Sequence, residues 1–404
     1  MFTKNVKNIY AIYKLIEEVV VMILFDTKKG ASIVRIKVFG VGGGGCNIMD
    51  YMIKTGIGHV SFMAVNTDVQ DLSGSLAKDK MQIGGIRTGG LGAGAKPEIG
   101  REAAEESIEL IHEAVDDLDI CIIVAGMGGG TGTGAAPIIA KVAKEQGKMV
   151  VACVTTPFEY ESKQRARNAL EGLDNLEMYV NSMIVIPNDK IFNMSTEDTF
   201  VGDAYNKIDA LLADAVRALT RLILEPGMVN LDFADVRSVL NIGGQTVITH
   251  GIGSGINKAK NAVDQALDNV LIEPGKLQGA KGILVCVVGG EDLKVHEIRK
   301  CIESLKEIAN EDVNIISGVH VDPSMKDSIL LSLIATGITK TTNNMLELMI
   351  DKADERAFNQ EVLIPQNKMF HDDSHKFDNF GKEDEENLDI PTFIRRNKAY
   401  FVGS

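Results

Sequence analysis

The chain has 404 residues, 45% hydrophobic and 24% charged, a globular composition long enough for two domain cores and a tail. A formal net charge of −14 argues against a nucleic-acid partner, because phosphate backbones demand basic surface. The five cysteines, Cys46, Cys121, Cys153, Cys286 and Cys301, share no CxxC spacing or nearby histidine, so they read as core residues in a reducing compartment rather than as disulfides or a zinc site.

Residues 1–34 form an N-terminal extension. Its apolar stretch Ile9 to Phe25 carries Lys14, Glu17 and Glu18, and the uninterrupted run from Val19 to Phe25 is too short to span a membrane. No small-residue cleavage site follows before "DTKKGAS", which leaves an amphipathic extension or a start codon placed upstream of Met22.

From Arg35 strands and helices alternate. "RIKVFGV" reads as a strand, "GGGG" breaks it, a helix-compatible segment follows from Asn47, and "HVSFMAVNTD" is the next strand. Between Pro97 and Leu118, Ala104, Ile108, Ile111, Val115 and Leu118 are spaced to line one face of a single helix. Then come the strand "DICIIVA", the loop "GMGGGTGTG", the helix "AAPIIAKVAKEQ" and the strand "KMVVACVT". Two strand–loop–helix units with glycines at the strand's carboxyl end predict a ligand crevice above a parallel sheet.

A long helix is expected over Ala204 to Leu224, with Ile208, Leu211, Leu212, Ala215, Leu219, Leu222 and Ile223 on its apolar side and "EPG" as its stop. Strands and helices alternate again to "SILLSLIATGI", which predicts a mixed sheet with helices. Past Lys340 periodicity fades into an acidic linker, expected to be disordered, that ends in "LDIPTFIRRNKAYFV". The expected boundaries are 35–203, 204–224, 225–339, 340–387 and 388–404.

Seven of the eight residues from Gly128 to Ala135 are glycine or threonine. A loop so bare exposes backbone N–H groups, and at a helix N-terminus these donors and the helix dipole favour an anion, a phosphate chain above all. A turn alone needs one or two glycines. With no lysine in the loop, this is not the GxxxxGK[ST] pattern. Gly40, Gly42 and Gly45 do satisfy GxGxxG, so a nicotinamide or flavin oxidoreductase competes. A dinucleotide fold, however, binds pyrophosphate once, on its first βα turn; two glycine loops suit a nucleoside triphosphate.

"GVGGGGCN", "AVNTDVQDL", "GLGAGAKPEIG", "GMGGGTGTGAAP", "IPNDKIF" and "NLDFADVRSVL" resemble, in order and spacing, the prokaryotic tubulin-like cell-division GTPase family FtsZ, from about Arg35 to Ile338. The resemblance implies a tubulin/FtsZ-like α/β fold: a Rossmann-like GTP-binding domain, a central helix and a smaller α/β C-terminal domain. It also implies GTP or GDP as ligand with Mg2+ accompanying it, and head-to-tail filaments in a ring on the inner face of the membrane at the division site of the cytoplasm. A tubulin-like filament protein without a division role is the alternative.

By the same resemblance, Gly43, Gly44, Gly45, Cys46 and Asn47 in the first loop and Gly130, Thr131, Gly132 and Thr133 in the second contact phosphate. Glu161 meets ribose, Arg165 meets phosphate, Asn188 and Asp209 read guanine, and Tyr205 stacks on it. No residue is assigned to a metal. No acid stands near the glycine loops in sequence, and the family's remedy is that Asn230, Asp232 and Asp235 enter the next subunit's site. Departures from the family are Gly89, Lys96, Ser162, where glycine is usual, and Ala210. "LDIPTFIRR", Leu388 to Arg396, resembles the family's partner-binding peptide, with Ile390, Phe393 and Ile394 as anchors for membrane-anchor and regulatory division proteins.

Overall fold

The computed structural model describes residues 34–194, 198–224, 228, 232–268, 276–309, 313–338 and 346–347. The expectations for residues 1–33, Asn230, the linker and the terminal peptide fall outside these residues.

Six strands come first: β1 (Ile36–Val41), β2 (Ser61–Asn66), β3 (Asp79–Gln82), β4 (Ile120–Gly126), β5 (Met149–Thr156) and β6 (Ser182–Pro187). Four follow: β7 (Gln245–Ser254), β8 (Gly282–Gly289), β9 (Asn314–Val321) and β10 (Ser328–Ile338). They form one sheet in the order β3-β2-β1-β4-β5-β6-β7-β10-β8-β9. The first six strands are all parallel, and the second half is mixed, with β10 antiparallel to both β7 and β8. The halves meet at the single pair Met183 and Gln245.

The order of the first six strands is the doubly wound one, and its direction reverses between β1 and β4, the switch point where such sheets bind ligands. The sequence explains why both faces are covered. In β4, Ile120, Ile122 and Val124 enter one core while Cys121, Ile123 and Ala125 enter the other. Continuous apolar runs of this kind suit a parallel strand buried on both sides.

The helices are α1 (Gly42–Thr55), α2 (Val69–Gly74), α3 (Gly85–Thr88), α4 (Pro97–Glu106), α5 (Ile108–Asp116), α6 (Thr131–Glu145), α7 (Lys163–Glu177), α8 (Val201–Leu224), α9 (Phe233–Leu240), α10 (Lys258–Leu267) and α11 (Val295–Ile308). Helix α8 begins three residues before the expected start. Leu212, Leu219 and Leu222 of α8 share one core with Met49 and Met52 of α1 and Leu284 of β8, so this helix cements the two halves of the sheet.

Two expectations need correction. The single helix over Pro97–Leu118 is two helices broken at Ser107, a buried residue whose hydroxyl accepts a hydrogen bond from the Gly84 amide at 3.0 Å. That tertiary bond outweighs the continuing periodicity. The first helix starts at Gly42, not near Asn47, so the glycine run is itself the first helical turn. The five cysteines are buried and free, as the spacing implied.

Candidate functional site

Both glycine loops leave adjacent strands at the switch point, where Val41 of β1 pairs with Ala125 of β4. Each opens a helix, α1 at Gly42 and α6 at Thr131, and neither N-terminus has a side-chain cap. The first N–H groups of a helix have no intrahelical partner, so two sets of donors and two positive dipole ends converge on one crevice.

Close packing forces the glycines. Gly42 has φ +72°, and a Cβ there would lie 2.8 Å from the Gly132 amide nitrogen, so the two loops touch backbone to backbone. On Gly45 a Cβ would lie 2.2 Å from the Val124 carbonyl oxygen. Gly43 and Gly44 stand more open, Asn47 is exposed, and Cys46 is buried with its thiol donating to the Gly40 carbonyl at 3.3 Å. Burial pushes that thiol up to about 12, which removes it from chemistry as a nucleophile and leaves it a packing role.

In the second loop Gly130, Thr131, Gly132 and Thr133 span the N-cap and first turn of α6. The Thr133 hydroxyl accepts from the Gly128 amide at 2.9 Å, and the Thr131 hydroxyl lies 2.6 Å from that of Thr67. Both threonines are buried, and their hydroxyls are engaged in shaping the loop. Gly100 of α4 packs behind it, where a Cβ would come within 2.3 Å of the Gly130 carbonyl oxygen.

The far end of the crevice lies past β5 and β6. Glu161 pairs with Arg165, accepts from the Phe158 amide at 3.0 Å, and is held by the turn that leads into α7. Ser162, a departure from the family pattern, caps α7 by accepting from the Arg165 amide at 3.3 Å. Asn188 follows β6 at the start of a 3-10 segment, Asn188–Met194, and its side-chain oxygen is buried without a hydrogen-bond partner. Tyr205 and Asp209 project from the start of α8, one turn apart. Tyr205 stands edge-on to Phe158 with ring centroids 5.6 Å apart, and burial pushes the Asp209 carboxyl up to about 6.

Asp232 and Asp235 belong to the opposite end of the strands. Asp232 is the N-cap residue of α9, and its carbonyl oxygen accepts from the Asp235 amide at 2.9 Å. The other end of α9 is tied to the amino-terminal edge of β6, where Asn181 donates to Asn241 at 2.7 Å. The structure therefore brings together the glycine loops, Asn188, Tyr205 and Asp209 along the carboxyl ends of the strands, and keeps the two aspartates away from them.

Three residues at the crevice escape the sequence reading. Asn66, at the carboxyl end of β2, is buried with an unpartnered side-chain nitrogen, although its oxygen accepts from the Thr67 and Asp68 amides. Thr67 braces the second loop. No acid stands near the loops in sequence, but the fold brings Asp71 to the first one: a Cβ on Gly43 would lie 3.0 Å from its carboxylate oxygen. Only the motif "AVNTDVQDL" signalled them, and it names residues without contacts.

Two family models match this arrangement: the Tubulin/FtsZ family GTPase domain over residues 35–196, and the FtsZ family C-terminal domain over residues 244–339. The chain is 37% identical to the cell division protein FtsZ of Buchnera aphidicola subsp. Acyrthosiphon pisum (strain APS), over 92% of this chain and 99% of that one. The chain belongs to the FtsZ family. An FtsZ from Buchnera aphidicola subsp. Schizaphis graminum (strain Sg) is 39% identical over 92% of this chain and 99% of its own. Among solved structures, an empty FtsZ dimer from M. jannaschii superposes with a TM-score of 0.70 at 38% identity, covering 78% of this chain and 91% of that one. The GDP-bound monomer of CetZ1 from Haloferax volcanii, 22% identical with a TM-score of 0.68, shares the fold. An FtsZ GTPase domain accounts for paired glycine loops without a lysine, and the oxidoreductase alternative is not favoured.

Proposed function

We propose that this chain is a cell-division GTPase that assembles head to tail and hydrolyses GTP in the joint between subunits. One observation carries the reading: the glycine loops lie at the carboxyl ends of the strands, and Asp232 and Asp235 are held at the other end. A triphosphate gripped by one subunit meets these acids only when the next subunit stacks on it. Such a heterologous contact propagates into a filament.

Within the site, the amides of Gly43, Gly44, Gly45, Cys46 and Asn47 and of Gly130, Thr131, Gly132 and Thr133 hold the phosphates. Glu161 and Arg165 serve ribose and phosphate. Asn188 and Asp209 read guanine, an amide and a carboxylate that together match its donor and acceptor edge, and Tyr205 supplies a ring face. Mg2+ travels with the nucleotide and offsets phosphate charge. Asp232 and Asp235, with Asn230 beside them in sequence, orient the attacking water.

The terminal peptide Leu388–Arg396 recruits anchor and regulatory proteins, and the filament works on the inner face of the membrane at the division site. Among the described residues no helix is long and apolar enough to cross a membrane. The test is phosphate release and light scattering on adding GTP and Mg2+ over a series of protein concentrations. Turnover per subunit should rise steeply with concentration; a constant value would overturn the split site.

A further inference from the structure

Helix α7 buries Ala166, Asn168, Ala169, Gly172, Leu173 and Leu176, and of these Asn168 alone carries a polar side chain. It is 5% exposed. A primary amide is costly to bury unless its donors and acceptor are satisfied, and leucine or alanine would complete the same stripe without that cost. Here each group has a partner. The side-chain oxygen accepts from Gln164 at 2.8 Å, and the nitrogen donates to the Ala95 carbonyl at 3.2 Å and to the Gly128 carbonyl at 3.5 Å.

The two carbonyls belong to different glycine-rich segments, residues 90–96 and the second glycine loop. Ala95 has φ +59°, in the left-handed region that a Cβ disfavours, and Gly128 has φ +100°. The segments also touch each other: a Cβ on Gly130 would lie 2.8 Å from that of Ala93 and 3.0 Å from the Lys96 amide nitrogen. Helix α7 comes equally close, since a Cβ on Gly128 would lie 2.9 Å from the Arg165 carbonyl oxygen. A trans peptide points its C=O and the following N–H in opposite directions, so drawing the Gly128 carbonyl onto Asn168 turns the Gly129 N–H away from it. Gly129 itself stands open: a Cβ there would meet nothing within 4 Å, and among the described residues its amide has no acceptor.

We propose that Asn168 is a positioning residue for phosphate binding: by holding the Ala95 and Gly128 carbonyls it sets the second glycine loop, with the Gly129 amide turned outward, at a fixed place relative to Arg165 one turn earlier on α7. The proposal rests on the reading of the glycine loops as the phosphate site. Glycine loses more backbone freedom on ordering than any other residue, and a ligand that had to order such a loop would bind more weakly by that cost. Asn168 supplies the order beforehand. It acts on the phosphate end alone, because neither segment carries Asn188, Tyr205 or Asp209, the residues read as serving the base. Leucine at this position keeps the size of the side chain and removes both donors.

The experiment measures GDP and guanosine binding by the full chain, kept below its assembly concentration, for wild type, Asn168→Leu and Gln164→Leu, with guanosine titrated at millimolar concentration by ligand-observed NMR. Asn168→Leu should bind GDP about tenfold more weakly, as expected for two lost hydrogen bonds, and guanosine within about twofold of wild type. A role in holding the fold alone would weaken both ligands alike; that outcome, or an unchanged GDP affinity, overturns the positioning role. Gln164 is exposed, so Gln164→Leu should leave the fold intact while removing the bond that orients the Asn168 amide, and GDP should weaken about threefold with guanosine unchanged. If Asn168→Leu does not fold, Gln164→Leu carries the test, and a GDP affinity equal to that of wild type overturns the proposal. If wild type itself binds GDP no more tightly than guanosine, the phosphate reading of the loops fails and Asn168 loses its role with it.

Discussion

The hydroxyl oxygens of Thr67 and Thr131 lie 2.6 Å apart, and both residues are buried. Thr67 follows β2 and Thr131 opens α6, so this bond braces the second glycine loop from the strand beyond the first. Thr67→Val keeps the shape and leaves the Thr131 hydroxyl without its partner, which costs about 1–3 kcal/mol. Urea unfolding should show that loss, and nucleotide affinity should fall with it as the loop loosens.

Asp232→Ala should leave GTP binding intact and slow phosphate release by about 100-fold or more, the range for losing a group that handles the attacking water. Asp232 is exposed at the start of α9 and makes no side-chain cap, so its removal should leave the unfolding midpoint nearly unchanged. Filter binding of labelled GTP beside a phosphate assay separates the two effects.

In the proposed site, Asp209, pushed up to about 6 by burial, would tie recognition to pH. The guanine edge presents N–H donors, so only the carboxylate accepts from them. GDP affinity should therefore fall below about pH 6, approaching tenfold per unit, and Asp209→Asn should bind weakly with little pH dependence. Stability moves the other way. A raised folded-state pKa contributes stability that is complete below the ordinary carboxyl value and lost as pH rises through about 6. Calorimetric titrations from pH 5 to 8 read both.

Asp71 sets a like charge beside the first loop. At short range through water such repulsion is worth about 1 kcal/mol, so Asp71→Asn should tighten GDP about fivefold at low salt, with the gain shrinking towards 0.15 M. Turnover within filaments should be retained. Its loss would mean that the hydrolytic acid comes from the same subunit, against the split site.

The sequence made the strand–glycine–helix units legible because β4 and β5 are continuous apolar runs and glycine marks where each turns. The long helix showed for a similar reason: its stripe from Ile208 to Leu222 is a packing stripe in fact. The break at Ser107 was hidden, since one apolar face continues across it and the cause is a bond to Gly84, remote in sequence. Asn66, Thr67 and Asp71 lie in a recognisable motif, but their contacts were hidden for the same reason. Their roles depend on what lies across the crevice, and local pattern carries no such information.

The two uncapped helix ends have a thermodynamic consequence. Neither α1 nor α6 satisfies its first amides with a side-chain cap, and in the proposed site the phosphates of the ligand take that place. The nucleotide is in effect a missing structural part, supplied by mass action. At a hundredfold excess over its dissociation constant it adds about 2.7 kcal/mol of folding stability, an appreciable share of what a domain possesses. Guanine nucleotide supply then governs how long the unassembled subunit survives as well as what the filament does, and stripping nucleotide during purification should lower the melting temperature before it abolishes any activity.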